Sequence, residues 1–193
     1  AEAKLGNGGR FAPGLPPKSD GQMLFVLNGL AKLKETGYMA IIQNGSSLFT
    51  GDAGSGPSEI RRYIIENDWL DAIVKLPNDS FYNTGIATYI WLITKDKPVS
   101  HREHVLLIDA SECHEPRRKN IGNKRVDITQ EARNLIVKAY GEYCDNTYEV
   151  LTDRGSKVKC RAKLLSSLGL GYNKITVESP LLDDNGKPVE KRG

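Results

Sequence analysis

The segment from residue 76 to residue 94, LPNDSFYNTGIATYIWLIT, joins a polar, turn-rich stretch directly to an apolar one. Its last part, ATYIWLIT, is rich in β-branched and aromatic residues, which favour a strand that is buried on both faces. Its first part contains asparagine, aspartate and serine, whose short side chains hydrogen-bond to the backbone in turns. We therefore predict a loop that leads into a core strand.

The predicted loop leaves two adjacent aromatic residues, Phe81 and Tyr82, at the end of the sheet. Such a pair is compatible with a stacking platform for a planar ligand. It is equally compatible with a plug that closes the apolar core, since aromatic side chains commonly fill cores. Both interpretations stay open at this point.

The residues before this segment alternate between helical and strand patterns. Apolar residues recur at helical spacing in residues 21–35 and 59–67, whereas residues 38–43 and 69–76 are short apolar runs typical of strands. This order predicts an α/β fold in which helices cover a partly parallel sheet. The connection between the last two strands is too short for a helical crossover, so the strand at 87–94 is predicted to run antiparallel to its predecessor.

The pattern changes after a further short strand, VLLI at residues 105–108. We assign residues 1–110 to an α/β domain and residues 111–193 to an extension. The extension comprises a basic segment, a helix over residues 128–143 and irregular chain that ends in a polar tail. A domain of this kind fits comfortably within 193 residues.

The net charge of the chain is only +3, but its basic residues are locally concentrated. Residues 117–125 contain five cations and no acidic residue, namely Arg117, Arg118, Lys119, Lys124 and Arg125. Such a run is suited to phosphate groups, although most basic runs are solvated surface. Nucleic acid is therefore one candidate partner.

The number of cysteines and the hydropathy of the chain indicate in which cellular compartment the protein is located. The three cysteines are few and widely spaced, which favours reduced thiols over a disulfide framework. No apolar run approaches the roughly 18 residues of a membrane span, and the N-terminus lacks a signal-peptide pattern. These features predict a cytoplasmic protein without membrane contact.

Recognisable catalytic and metal-binding motifs are missing from the chain. The glycine-rich loop at residues 51–56 lacks the lysine and hydroxyl residue of a P-loop, and no nucleophile elbow or dinucleotide fingerprint is present. One candidate zinc set exists, but its spacing matches no zinc pattern: His101, His104, Cys113 and His114. We therefore predict neither a metal nor catalytic residues in this chain.

Several motifs in order resemble the modification (M) subunit of type I restriction-modification systems. They are GSSLF at 45–49, EIR at 59–61, LPNDSFYNTGIATYIWLITKDK at 76–97, IDAS at 108–111 and GYNKITVESPL at 171–181. The resemblance implies an adenine-specific DNA methyltransferase that uses S-adenosylmethionine and assembles with specificity and nuclease subunits. It also implies the second half of a class I methyltransferase sheet, with an antiparallel final strand.

Two motifs of that family have no counterpart here. The family binds S-adenosylmethionine with a glycine-rich loop after its first strand and holds the target amine with an Asn-Pro-Pro-aromatic motif. Neither occurs in this chain, and the LPPK sequence at residues 15–18 is not that motif. We therefore expect a C-terminal part of the catalytic domain that neither binds the cofactor nor methylates DNA alone.

The resemblance also implies roles for particular residues. Phe81 matches the aromatic wall on which related enzymes stack the extruded adenine, and Tyr82 is a second candidate. Asn44 follows a strand at the position where open α/β sheets bind ligands, although a turn-forming asparagine has the same signature. The basic segment is predicted to contact DNA phosphates. The alternative is a non-catalytic module that docks DNA or other subunits, and an unpaired central strand predicts self-association.

Overall fold

The computed structural model describes residues 2–177 and 179, which form a mixed sheet with helices on both faces. The strands are β1 (Tyr38–Asn44), β2 (Leu70–Lys75), β3 (Thr88–Thr94), β4 (His104–Glu112), β5 (Glu115–Ile121), β6 (Lys124–Asp127), β7 (Asn146–Leu151) and β8 (Lys157–Ser166). The helices are α1 (Gln22–Lys32), α2 (Ser46–Phe49), α3 (Gly56–Glu66) and α4 (Gln130–Glu142). Short 3-10 segments lie at Glu2–Gly8, Val99–His101 and Ser167–Leu170. The main sheet has the order β1-β3-β2-β4-β8-β7, and β5 and β6 form a separate hairpin.

The strand predicted from ATYIWLIT is β3, which lies inside the sheet between β1 and β2. It runs antiparallel to both neighbours, with Trp91 opposite Ile41 on one side and Ile73 on the other. Strands β2 and β4 are parallel, with Val74 opposite Ile108. The predicted chain reversal before β3 and the partly parallel sheet are both confirmed.

Side chains of β3 alternate between two apolar layers. Trp91 is buried beneath α1 and α3, in a cluster that includes Leu27 and Ile60. Ile90 points to the opposite layer, where α4 contributes Leu135 and where Ile90 is only partly buried. Each large apolar side chain that is fully buried contributes about 1.5–3 kcal/mol, so this packing holds β3 and the loop before it in place.

Helix boundaries differ slightly from their predicted positions. Helix α3 begins at Gly56, about one turn before its predicted start at residue 59. Pro57 lies in its first turn, where the fixed φ of proline suits a helix and its missing N–H is not needed. Helix α1 ends at Lys32, before Gly37, because Leu33 already has extended backbone angles.

The extension is more regular than predicted, since residues 146–166 form the hairpin of β7 and β8. Val158, Cys160 and Ala162 are buried on one side of β8, and basic residues alternate with them on the other. Strand β8 pairs with β4, with Ala162 opposite Ile108. The boundary predicted at residue 110 therefore falls within β4, and strands from both sides of it share one sheet.

The basic segment also has regular structure. Strands β5 and β6 pair antiparallel, with Glu115 opposite Asp127 and Ile121 opposite Lys124. Residues 171–177 form neither helix nor strand. The polar tail predicted at residues 181–193 lies outside the described residues.

Candidate functional site

Strands β1, β2 and β4 point in the same direction and end at one edge of the sheet, which we call the carboxyl edge. The loop before β3 begins at this edge, because Asn44 at the end of β1 lies opposite Thr88 at the start of β3. Lys75 at the end of β2 lies opposite Asp109 in β4, and the two form an ion pair with Nζ and Oδ2 3.4 Å apart. The carboxyl edge is where open α/β sheets bind ligands.

Residues 77–87 form the loop at this edge, which we call the aromatic loop. Phe81 is partly buried and packs against the apolar cluster beneath α4, whereas Tyr82 is 69% exposed. A β-bridge between Phe81 and Thr84 closes the loop, and Ser80 Oγ donates a hydrogen bond to the Pro77 carbonyl at 2.7 Å. Phe81 therefore combines a core contact with partial exposure of the residue.

The hairpin of residues 115–127, which we call the basic hairpin, separates the five predicted DNA-binding residues into two groups. Arg117 and Lys124 form ion pairs with Asp127, at 2.5 and 3.2 Å. Burial acts to raise the pKa of Asp127, but hydrogen bonds from these two cations outweigh it, so its pKa is below the usual value. The remaining three are exposed and have no ion pair within the described residues: Arg118, Lys119 and Arg125.

The structure brings the aromatic loop and the basic hairpin together. Main-chain N–H groups of the hairpin donate to the Tyr82 and Asp79 carbonyls, with N···O distances of 2.9 Å from Asn123 and 3.0 Å from Arg125. The aromatic loop and the basic hairpin are thus joined by main-chain hydrogen bonds at the carboxyl edge. The sequence predicted both sets of residues but did not predict this contact.

Asn44 lies at the carboxyl edge as predicted, but its side chain is occupied within the chain. Its Oδ1 accepts hydrogen bonds from Gln22 Nε2 at 2.8 Å and from the Ser46 backbone N–H at 2.9 Å. Gln22 Nε2 also donates to Asp20, and hydrogen bonding from Ser46 lowers the pKa of the Asp20 carboxyl despite an opposing effect of burial. The geometry indicates that Asn44 joins β1 to α1 and α2.

A polar cluster that the sequence did not predict lies at the opposite edge of the sheet. Asp71 is 1% exposed and accepts a hydrogen bond from Tyr140 OH, and its Oδ1 lies 2.9 Å from His101 Nδ1. The His101 ring stacks on Tyr143 with 3.4 Å between the ring centres. Burial and the adjacent carboxylate raise the pKa of Tyr140, which keeps its hydroxyl protonated. No sequence pattern connects these residues.

The residues of the candidate zinc set are engaged separately. His101 contacts Asp71, His104 Nδ1 lies 2.8 Å from the Arg102 carbonyl and His114 Nδ1 lies 3.0 Å from the Ser111 carbonyl. Within residues 2–177 and 179, no group of three or more potential ligands is arranged to hold a metal ion. All three cysteines are free thiols.

The family model for N-6 DNA methylases matches residues 1–160. The chain belongs to this family. The methylase subunit of the type I restriction enzyme MjaIX from Methanocaldococcus jannaschii is 30% identical over 139 residues, which are 72% of this chain. The corresponding HindI subunit from Haemophilus influenzae is 32% identical over 101 residues, or 52% of this chain. The resemblance to type I modification subunits is confirmed.

Solved structures agree on the fold of this N-6 DNA methylase chain. The type I methyltransferase subunit from Streptococcus thermophilus matches 87% of the chain with a TM-score of 0.67 and 25% identity. The EcoKI M protein matches 79% with a TM-score of 0.56 and 19% identity, which supports the fold alone. The chain spans 24% of the length of the MjaIX subunit and 31% of the S. thermophilus subunit.

Family membership implies S-adenosylmethionine in the complete enzyme, and three candidate acceptors for it in this N-6 DNA methylase chain are already engaged. The cofactor's ribose hydroxyls and ammonium group call for uncommitted carboxylate and carbonyl acceptors. At the carboxyl edge, Asp20 and Asn44 are bound within their own network and Asp109 is paired with Lys75.

No helix among the described residues combines the length and apolar character required to cross a bilayer.

Proposed function

We propose that this chain forms the target-base side of a DNA adenine methyltransferase. The complete enzyme transfers a methyl group from S-adenosylmethionine to the exocyclic amine of adenine. The main support is the contact between the aromatic loop, with Phe81 and Tyr82, and the basic hairpin. An enzyme that modifies a base within a duplex must extrude it and stack it on a surface, while cations hold the adjacent phosphates.

In this proposal the cofactor loop and the Asn-Pro-Pro-aromatic motif come from outside the residues of this chain. Strand β1 is the outermost strand on one side of the sheet, so one of its backbone sides is unpaired. Its Tyr38 and Ile42 are 66% and 51% exposed. Unpaired backbone groups beside exposed apolar side chains favour pairing with a further strand. In the cytoplasmic complex with specificity and nuclease subunits, the missing half of the sheet pairs with β1. When that half is absent, the chain self-associates through β1.

The direct test is reconstitution with a chain that supplies the cofactor loop and the Asn-Pro-Pro-aromatic motif. Calorimetric titration with S-adenosylmethionine is expected to show binding by the mixture and none by this chain. Labelled methyl groups are expected on the adenine amine of unmethylated DNA when both chains and a specificity subunit are present. Cofactor binding by this chain alone, or full methylation without it, would contradict the proposal.

The second candidate function is a docking module for DNA, which the three unpaired cations of the basic hairpin favour. Each phosphate contact contributes about 0.9 to the slope of log affinity against log salt concentration. Replacing Arg118, Lys119 and Arg125 with glutamine is therefore expected to make that negative slope shallower by up to about 3. Fluorescence anisotropy across a salt series measures the slope.

A matched control removes the same charge elsewhere. Arg62, Lys138 and Lys157 are ion-paired on other elements, and their replacement with glutamine is expected to leave the salt slope unchanged. Equal slopes for both triple variants would exclude the hairpin as the DNA contact. Salt-dependent DNA binding without methylation by the reconstituted enzyme would favour the docking module over the methyltransferase.

A further inference from the structure

The turn of the basic hairpin is bound to the aromatic loop by main-chain atoms. The Asn123 N–H donates to the Tyr82 carbonyl at 2.9 Å. The N–H groups of Arg125 and Val126 both donate to the Asp79 carbonyl, at 3.0 and 3.4 Å. The hairpin thus holds the loop on either side of Phe81.

Gly122 makes this contact possible for two independent reasons. Its φ of +55° is in the left-handed region of the backbone, which residues other than glycine and asparagine rarely adopt. A Cβ at this position would lie 2.4 Å from the Tyr82 carbonyl oxygen, where the nearest atom is main chain and not a flexible side chain. Any side chain at residue 122 must therefore move the turn away from the loop.

The other end of the hairpin is anchored in the main sheet. Glu115 is 2% exposed, accepts a hydrogen bond from the Thr152 hydroxyl and lies 3.3 Å from Arg154 Nη1. Thr152 and Arg154 belong to the turn between β7 and β8. Because one end is fixed to this turn and the other to the aromatic loop, the hairpin is a brace between the sheet and the loop.

We propose that the basic hairpin is the positioning element of the aromatic loop, with Gly122 as the positioning residue. This inference rests on the proposed function. Phosphate binding by the exposed cations orders the hairpin, and the main-chain contact transmits that order to the loop that stacks the target adenine. DNA engagement and placement of the stacking ring are thereby coupled.

The test uses Gly122→Ala in the reconstituted enzyme. A mutation far from the reacting atoms that misplaces the substrate by about 1 Å can lower the rate by about 100-fold. We therefore expect Gly122→Ala to lower kcat on the order of 10- to 100-fold. KM for DNA is expected to change less than kcat, because the cations are retained. An unchanged kcat, or an increase in KM for DNA without a fall in kcat, would overturn the inference.

Gly54 provides a matched control for backbone strain, because it lies outside the hairpin and its anchor. Its φ is +81°, and a Cβ there would meet nothing within 4 Å. Gly54→Ala is expected to retain kcat. Gly122→Asn separates the two causes further, since asparagine tolerates a positive φ but still carries a Cβ. We expect it to behave like Gly122→Ala, and full activity of Gly122→Asn would overturn the role of the Tyr82 contact.

Amide hydrogen exchange of the 193-residue chain reports on the contact without DNA or methyl transfer. The Asn123 and Arg125 amides are expected to lose protection in Gly122→Ala and to keep it in Gly54→Ala. Equal protection in both variants would overturn the inference. A wild-type enzyme that does not methylate DNA would instead overturn the proposed function, and the exchange rates would still decide whether the hairpin holds the loop.

Discussion

Phe81→Leu is expected to lower methyl transfer by the reconstituted enzyme by roughly 5- to 150-fold, because stacking of a base on an aromatic ring contributes about 1–3 kcal/mol. Leucine preserves an apolar side chain against the cluster beneath α4, where Phe81 packs. The free energy of unfolding should therefore change much less than the activation free energy. Single-turnover methylation and urea unfolding of the same variant measure the two quantities.

Tyr82→Leu is the matched control, because its ring is on the same loop but exposed. A larger loss of turnover for Tyr82→Leu than for Phe81→Leu would transfer the stacking role to Tyr82. A loss of stability in Phe81→Leu without any loss of turnover would show that Phe81 is the core plug. The same pair of variants thus decides between the two interpretations of the aromatic loop.

Asp71→Ala is expected to lower the free energy of unfolding by about 2–6 kcal/mol, because it removes the acceptor at the centre of a hydrogen-bonded cluster. Tyr140 OH and His101 Nδ1 both lose their hydrogen-bond partner, and each buried group left unsatisfied costs about 1–3 kcal/mol. The cluster joins α4 and the segment before β4 to β2, so its loss loosens one face of the sheet. Urea denaturation measures the change.

Asp109→Ala serves as the control for Asp71→Ala. Asp109 also carries a carboxylate on the sheet, but its side chain is 46% exposed and pairs with Lys75. Exposed ion pairs contribute about 0–1 kcal/mol, so this variant is expected to remain near wild-type stability. Similar stability of the two variants would mean that the buried cluster contributes nothing beyond an ordinary surface pair.

The fold between residues 38 and 94 could be predicted closely because its strands are short apolar runs. Strands β2 and β3 bury side chains on both faces, so their pattern is independent of distant partners. The polar loop before β3 is too short for a crossover, which also made the antiparallel direction predictable. Helix ends were less accurate: α3 begins at Gly56 and not at residue 59, and α1 ends at Lys32 and not at residue 35.

Strand β8 was missed even though its signal is present. Val158, Cys160 and Ala162 alternate with basic residues, which is the pattern of a strand with one buried face. In the structure these cations face solvent and pair with carboxylates on neighbouring chain segments, as Lys157 does with Glu149 and Lys163 with Asp145.

Local sequence patterns thus account for the strands around β3, the turn chemistry of the aromatic loop and the cations of the basic segment. The tertiary structure adds the contact between that loop and the basic hairpin. This contact consists of main-chain bonds, such as the one from Asn123 to Tyr82, and every residue offers the same main-chain atoms. No side-chain pattern encodes such bonds, and their trace in the sequence is a glycine at position 122, where a Cβ does not fit.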